Sequence, residues 1–138
     1  MSSSLFDLSG RVALITGGSK GLGKAMARGF AEHGADVMIC SRNEDELKSA
    51  QEEIGEGLDV RVEYHVTDMT SRDEVKALAT ETLSKFGKVD ILVNNAGSNC
   101  PQPIDEIKDE DWDRILELNL TSIMVLTREL VPQMKERK

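Results

Sequence analysis

Short apolar segments alternate with amphipathic segments along the chain. Four of the apolar segments have the length and composition of strands, and they span residues 11–16, 36–40, 60–66 and 89–94. The first, second and fourth are nearly continuous in apolar residues, which is typical of strands buried on both faces of a parallel sheet. The third alternates between apolar and polar residues, which predicts an edge strand with one wetter face.

Helical periodicity between these strands predicts three helices. The first spans residues 21–33 and is followed by Gly34, a residue that commonly ends helices. Asn43 is the predicted N-cap of the second helix, and Ser71 opens the third. Ser71 and Glu74 form a capping-box pattern, in which the serine hydroxyl and the glutamate carboxylate each satisfy a free amide.

A fourth and longest helix is predicted over residues 110–135. Its apolar residues spread around most of its circumference, so we expect burial on most sides. Pro132 cannot donate a backbone hydrogen bond, and we expect it to bend or end the helix.

Alternation of strands with helices predicts βαβ units in a parallel sheet. The 138 residues have the size of one domain. We therefore expect residues 1–138 to form half of a doubly wound α/β fold, with four parallel strands in the order 3-2-1-4 and helices on both faces.

A glycine-rich loop, residues 16–23, connects the first strand to the first helix. Gly17 permits a tight turn, and Gly21 lets the backbone approach a pyrophosphate closely. Gly23 allows close packing of the helix on the strand, and the helix N-terminus offers unpaired amides and partial positive charge to phosphates. The strand–loop–helix context predicts a dinucleotide-binding loop, and the alternative is a tight turn without a ligand.

Charges after the second strand indicate which dinucleotide the loop prefers. Sites that prefer NAD carry an acidic residue there to bind the ribose hydroxyls. This chain has Ser41 and Arg42 instead, and its next carboxylate is Glu44. A hydroxyl and a guanidinium would bind a 2′-phosphate that a carboxylate would repel, and Lys20 adds a second cation. We expect NADP(H) to be favoured over NAD(H); otherwise Arg42 is a solvated charge at a helix start.

Four motifs occur in the order seen in one enzyme family. They are the Thr-Gly-x-x-x-Gly-x-Gly loop, Asp68 after the third strand, the Asn-Asn-Ala-Gly segment 94–97, and Asn119 in the last helix. From about residue 8 to residue 138 the chain resembles the short-chain dehydrogenase/reductase family. Within it, the chain is most similar to ketoacyl-carrier-protein reductases and gluconate dehydrogenases. The resemblance implies an oxidoreductase that transfers hydride between a nicotinamide cofactor and a carbonyl or alcohol substrate.

The same resemblance implies which residues contact the cofactor. They are Thr16, Gly17, Ser19, Lys20, Gly21, Leu22, Gly23, Ser41, Arg42, Asp68, Met69, Asn95, Ala96 and Gly97. In the family, the aspartate contacts the adenine, and Asn94 and Asn95 hold the fourth strand against the ribose side of the cofactor. Asn119 corresponds to the asparagine of the catalytic tetrad, which bends the helix around a water and extends a proton relay.

The other catalytic residues of the family are not found in these 138 residues. The family uses a tyrosine as general acid and base, a lysine four positions later and a serine that polarises the carbonyl. The sole tyrosine, Tyr64, is followed four positions later by Asp68, and Ser98 and Ser122 do not match the serine position. We expect a truncated cofactor-binding half that is inactive alone, and the substrate cannot be predicted. A complementary fragment or longer chain would restore activity; alternatively, the chain is an inactive partner of a full-length relative.

Charge and composition argue against several other classes of function. The net charge is −8 and the only basic cluster is 135–138, so nucleic acid is not an expected partner. No apolar stretch exceeds four residues, so no membrane span is expected. No export signal is visible, and Cys40 and Cys100 form no CxxC pair, which predicts reduced thiols in a cytoplasmic protein. His33 and His65 are isolated, so no metal site is expected.

The predicted sheet and final helix also have consequences for assembly. A sheet that stops at the fourth strand exposes an apolar edge, which can pair with another chain. The apolar final helix would expose a larger patch than monomers usually do. We expect a homo-oligomer, either a two-fold dimer that buries the final helix, with the fourth strands pairing antiparallel, or one that exchanges this helix.

Overall fold

Strands and helices alternate along the chain in a computed structural model that describes residues 4–138. A short 3₁₀ helix, Ser4–Phe6, precedes the first strand. The elements that follow are β1 (Val12–Thr16), α1 (Gly21–Glu32), β2 (Asp36–Ser41), α2 (Glu44–Gly55), β3 (Val62–Val66), α3 (Arg72–Phe86), β4 (Ile91–Val93), α4 (Asp109–Leu116), a π-helical turn (Glu117–Thr121) and α5 (Ser122–Arg137).

The four strands form one parallel sheet in the order β3-β2-β1-β4, which confirms the predicted topology. Leu14 at the centre of β1 is in register with Met38 on β2 and Leu92 on β4. Among the described residues β3 pairs with β2 alone, and its residues are half-buried or exposed. The prediction of an edge strand from its alternating pattern is therefore confirmed.

Helices cover both faces of the sheet because successive strand residues point to opposite sides. One face packs on α1 and α2 through the buried residues Ala13, Ile15, Ala27, Ala31, Val37, Ile39, Leu47, Ala50 and Ile54. The other packs mainly on α3 and α5 through Leu14, Met38, Cys40, Met69, Val75, Leu78, Ala79, Val89, Val125, Leu126 and Leu130. Within residues 4–138, no helix combines the length and apolar character that crossing a bilayer requires.

Side-chain caps fix the starts of α2 and α3. The Asn43 side chain accepts a hydrogen bond from the Glu46 amide at 3.1 Å, and Ser71 Oγ accepts one from the Glu74 amide at 3.3 Å. The second hydrogen bond predicted for the capping box, from the Ser71 amide to the Glu74 carboxylate, is not formed. The Glu74 carboxylate accepts a hydrogen bond from the Asp68 amide instead. The Ser71 amide already donates to the Asp68 carbonyl at 3.0 Å, so the glutamate satisfies a donor further upstream.

The long final helix differs from its prediction in its interior, and Pro132 does not end it. A π-helical turn separates α4 from α5, and α5 continues beyond Pro132 to Arg137. Pro132 cannot donate to the Arg128 carbonyl, and both residues are exposed.

Burial of this helix is one-sided. Ser122, Val125, Leu126 and Leu130 are buried, whereas a row of large apolar side chains on α4, the π turn and α5 is exposed. We call this row the apolar stripe: Trp112 (51% exposed), Leu116 (40%), Leu120 (65%) and Met124 (46%). In the single chain, the expected burial on most sides is therefore not found on this face of the helix.

Asp90, just before β4, anchors the end of α5 to the sheet. Its side chain is 7% exposed, and it accepts hydrogen bonds from Arg137 at 2.9 Å and from the Val12 amide at 2.8 Å. Lys88 forms an ion pair with the same carboxylate at 3.1 Å. Burial by itself would raise the pKa of Asp90, but the bonds from Arg137, the Val12 amide and Lys88 outweigh it and lower the pKa to about 2.

Candidate nucleotide-binding site

A groove of about 550 Å³ lies where the carboxyl ends of the parallel strands meet the glycine-rich loop. Ligands of open α/β sheets bind at this edge. Ten of the predicted cofactor residues line it: Gly17, Ser19, Lys20, Ser41, Arg42, Asp68, Met69, Asn95, Ala96 and Gly97. The sequence analysis did not assign the other lining residues to the cofactor: Cys40, Asn43, Glu46, Thr67, Thr70, Ser98, Arg114 and Leu118.

The remaining predicted residues lie outside the groove lining. Thr16 is buried behind it, and its Oγ1 accepts hydrogen bonds from the amides of Asn95 at 3.0 Å and Ala96 at 2.9 Å. Thr16 therefore ties the end of β1 to the segment after β4. Leu22 is 78% exposed at the start of α1.

The glycines of the loop are required for different reasons. Gly17 and Gly21 have φ of +66° and +59°, in the left-handed region that favours glycine. A Cβ at Gly21 would meet nothing within 4 Å, so the space beside it is open. A Cβ at Gly23 would collide with the Gly17 carbonyl and lie 2.6 Å from Asn95 Nδ2. Gly23 thus allows close packing of α1 on the loop and on Asn95, rather than on the strand as predicted.

Position 18 also requires glycine, which the sequence analysis did not identify. A Cβ there would lie 2.5 Å from Ile39 Cγ2 and 2.7 Å from Ile39 Cβ on β2. Gly18 also donates its amide to the Cys40 carbonyl at 3.3 Å. The loop therefore rests directly on the second strand.

The N-terminus of α1 is open to an anion. Asn43 and Ser71 cap α2 and α3, whereas the N-cap of α1 is Lys20, which makes no side-chain capping bond. The amides of the first turn have no intrahelical acceptors, and the helix dipole adds positive charge there. This donor set fits the pyrophosphate of a dinucleotide.

Charged side chains line the groove beyond this helix end. Lys20 and Arg42 are exposed cations, and Asp68 and Glu46 are half-buried carboxylates. Asp68 Oδ1 accepts hydrogen bonds from the hydroxyl and amide of Thr70, at 2.7 Å and 2.9 Å. These bonds, with a smaller contribution from the charge of Arg42, lower the pKa of Asp68.

Of the two asparagines after β4, only Asn95 holds the strand ends together. Its Nδ2 donates to the carbonyls of Thr16 at 3.0 Å and Gly17 at 3.2 Å. Asn94 is exposed to solvent. In this structure Asn95 therefore ties the end of β1 to the segment after β4, and the predicted role of both asparagines toward the ribose stays a prediction.

Asn119 lies in the π-helical turn, next to the groove residue Leu118. Its Nδ2 donates to the carbonyls of Ser98 at 2.7 Å and Ile115 at 2.9 Å, and its Oδ1 accepts from the Ser98 amide at 3.1 Å. A Cβ on Gly97 would lie 2.6 Å from Asn119 Oδ1, so the small residue makes room for this contact. In this structure Asn119 fixes the segment that follows β4.

Two weakly acidic side chains, those of Tyr64 and Cys40, have raised pKa values. Tyr64 lies on β3, where its hydroxyl donates to Glu44 at 3.1 Å; partial burial, together with this contact, raises the pKa of Tyr64. Burial raises the pKa of the Cys40 thiol to about 12, so this groove residue is protonated at neutral pH. Within residues 4–138, no three histidine, cysteine or acidic side chains are grouped to hold a metal ion.

This chain is similar in sequence and fold to known proteins. Residues 11–138 match the family model described as short chain dehydrogenase. The chain is 37% identical over 131 residues to the 3-oxoacyl-acyl-carrier-protein reductase of Thermotoga maritima, covering 95% of this chain and 53% of the relative. It is 38% identical over 133 residues to the 2-dehydro-3-deoxy-D-gluconate 5-dehydrogenase of Pseudoalteromonas atlantica, covering 96% of this chain and 52% of that protein.

Solved structures give the same result. L-sorbose reductase from Gluconobacter frateurii, complexed with NADPH and L-sorbose, matches with a TM-score of 0.92 and 40% identity, over 96% of this chain and 50% of that one. A metagenomic short-chain oxidoreductase in complex with NADP matches with a TM-score of 0.88 and 36% identity, over 94% of this chain and 59% of that one. The chain thus spans about half the length of the relatives it matches. Since the family model covers nearly all of its residues, the chain belongs to the short-chain dehydrogenase/reductase family.

Proposed function

We propose that residues 1–138 are the NADP(H)-binding portion of a short-chain oxidoreductase that transfers hydride between a nicotinamide cofactor and a carbonyl or alcohol substrate. The observation that carries the proposal is the groove at the strand ends. The loop residues Gly17, Ser19 and Lys20 line it, and Lys20 immediately precedes the uncapped start of α1. The bound cofactor supplies the hydride chemistry. The residues of this chain bind and orient it.

Each part of the groove has a proposed role. The loop and the first turn of α1 hold the pyrophosphate, because their amides and the helix dipole favour anions. Ser41, Arg42 and Lys20 hold the 2′-phosphate, since charge-assisted bonds to phosphate are strong. Asp68, with the neighbouring Met69, contacts the adenine.

The segment after β4 has the remaining roles. Asn95, Ala96 and Gly97 line the ribose side of the cofactor. Asn119 acts as a positioning residue, because its three hydrogen bonds fix Ser98 and Ile115.

Calorimetric titration with NADPH and NADH tests the cofactor preference. We expect the wild type to bind NADPH more tightly, and Arg42→Ala to weaken NADPH binding about ten- to a hundredfold, with little effect on NADH. Lys76→Ala is the matched control, because it removes one exposed cation from α3, away from the groove. Equal affinity of the wild type for both cofactors would contradict the assignment.

We also propose that this chain alone catalyses no carbonyl reduction. Its one tyrosine is bonded to Glu44 outside the groove, with a raised rather than lowered pKa. A general acid and base contributes about 10²–10⁴-fold to rate. NADPH consumption is measured against a panel of ketones, with the mass of the 138-residue chain verified; steady turnover would show that the proposal is wrong.

Two exposed features of the fold, the free edge of β4 and the apolar stripe, support self-association. Among the described residues β4 pairs with β1 alone, which leaves its other edge available to a strand. The apolar stripe lies on the neighbouring final helix, and its four large side chains are 40–65% exposed. We propose a homodimer that covers both surfaces.

A further inference from the structure

Glu46 places a carboxylate in the wall of the groove that is also lined by the two cations proposed to hold a 2′-phosphate. It lies in the first turn of α2, where the hydrogen bond from its amide to the Asn43 cap fixes its backbone. Its Oε2 is 3.5 Å from the hydroxyl of Ser19, a loop residue that is only 7% exposed. The half-buried carboxylate of Glu46 therefore faces the glycine-rich loop.

The second carboxylate of the groove, that of Asp68, accepts more hydrogen bonds than that of Glu46. Asp68 shares one of its oxygens between two short hydrogen bonds from Thr70. Among the described residues, the long contact with Ser19 is the only hydrogen bond to the Glu46 carboxylate. The negative charge of Glu46 is thus the less neutralised of the two.

We propose that Glu46 limits the preference of this site for NADP(H) over NAD(H). This inference rests on the proposed function. A carboxylate in the same wall as Lys20 and Arg42 repels a 2′-phosphate that carries nearly two negative charges, and it competes with that phosphate for the Ser19 hydroxyl. NAD(H) carries a neutral hydroxyl at this position and is largely insensitive to Glu46. The site then retains useful affinity for both cofactors.

Titration of the full 138-residue chain with two small probes isolates this effect. Adenosine 2′,5′-bisphosphate and adenosine 5′-monophosphate differ only by the 2′-phosphate, and neither carries the nicotinamide half of the cofactor. We expect Glu46→Gln to bind the bisphosphate about three- to tenfold more tightly, as removal of one nearby charge predicts. The affinity for the monophosphate should change by less than about twofold.

Glu44→Gln is the matched control. Glu44 lies in the same turn of α2 and carries the same charge, but its carboxylate accepts a hydrogen bond from Tyr64 and does not line the groove. Neither probe should bind this variant differently from the wild type by more than about twofold. Circular dichroism establishes that both variants keep the wild-type helix content.

The outcomes separate the inference from the proposed function. Unchanged or weaker binding of the bisphosphate by Glu46→Gln overturns the inference, and so does an equal gain in Glu44→Gln. If the wild type binds neither probe, the proposed function fails as well. Binding of both probes by the wild type, without an effect of Glu46→Gln, removes only the role of Glu46.

Discussion

Asp90 shows how one residue can connect parts of the chain that are far apart in sequence. Its carboxylate accepts from the Val12 amide on β1 and from Arg137 at the end of α5. Because folding lowers the pKa of Asp90 from 3.8 to about 2, the ionised form stabilises the folded chain by about 2 kcal/mol. For a lowered pKa, this stabilisation is complete above about pH 4 and is lost as the pH falls through about 2.

Asp90→Asn should therefore lower the free energy of unfolding by about 2 kcal/mol at pH 7. Urea unfolding is measured from pH 7 down to pH 2.5. The difference in the free energy of unfolding between the wild type and Asp90→Asn should become smaller as Asp90 is protonated in the unfolded chain. Asp59→Asn is the control, because Asp59 is exposed; it should change stability by less than about 0.5 kcal/mol. A difference in the free energy of unfolding that stays constant with pH would contradict the role of the Asp90 charge.

Individual site residues could be predicted where they belong to a local sequence motif. They could not be predicted where their contacts are made with residues far away in the sequence. The glycine loop, Ser41 and Arg42 are adjacent to a strand end, so their placement in the groove follows from the sequence. Glu46 was missed because its partner Ser19 lies 27 positions away, in another βα unit. No periodicity reports such a contact.

At the scale of elements, α1 shows how a helix is fitted to the loop before it. Its first turn lies against the loop through Gly23, which has no space for a Cβ beside the Gly17 carbonyl. Gly29, on the same helix, has open space, since a Cβ there would meet nothing within 4 Å. The two glycines therefore differ in packing but share the low helix propensity of the residue.

Gly23→Ala should destabilise the chain by about 1–3 kcal/mol and weaken nucleotide binding, because α1 must move away from the loop. Gly29→Ala, the matched control, should stabilise by up to about 1 kcal/mol, since alanine favours the helix. Thermal unfolding and NADPH titration of both variants measure these effects. Wild-type stability and affinity in Gly23→Ala would show that the loop does not depend on this close contact.

Periodicity predicted the existence of the elements better than their internal form. The helical pattern from Glu110 to Lys135 correctly indicates one long helical segment, but nothing in it reports the π-helical turn. That turn contains Asn119, whose bonds to Ser98 depend on the tertiary placement of the segment after β4. Of the two effects expected of Pro132, ending the helix does not occur, since α5 continues to Arg137.

At the scale of the molecule, the strand order and the two covered faces of the sheet followed from the alternation of apolar runs and amphipathic segments. Which helix face stays uncovered could not be predicted in the same way. The final helix has apolar residues on most sides, and only its packing on α3 and β4 decides that the apolar stripe faces outward. The structure therefore identifies the surface on which a test of assembly should be made.

We expect the wild-type chain to form a dimer or larger species, at or above twice its 15.2 kDa mass by light scattering. Leu120 is 65% exposed near the middle of the apolar stripe. Leu120→Glu should raise the dissociation constant by about a hundredfold, because burying an unpaired carboxylate in an apolar interface costs about 3 kcal/mol or more. Ile104→Glu is the control, since Ile104 is 85% exposed but lies outside the stripe, in the segment before α4. A monodisperse wild-type monomer at high concentration would rule out the homodimer, and dissociation by Ile104→Glu alone would place the interface elsewhere.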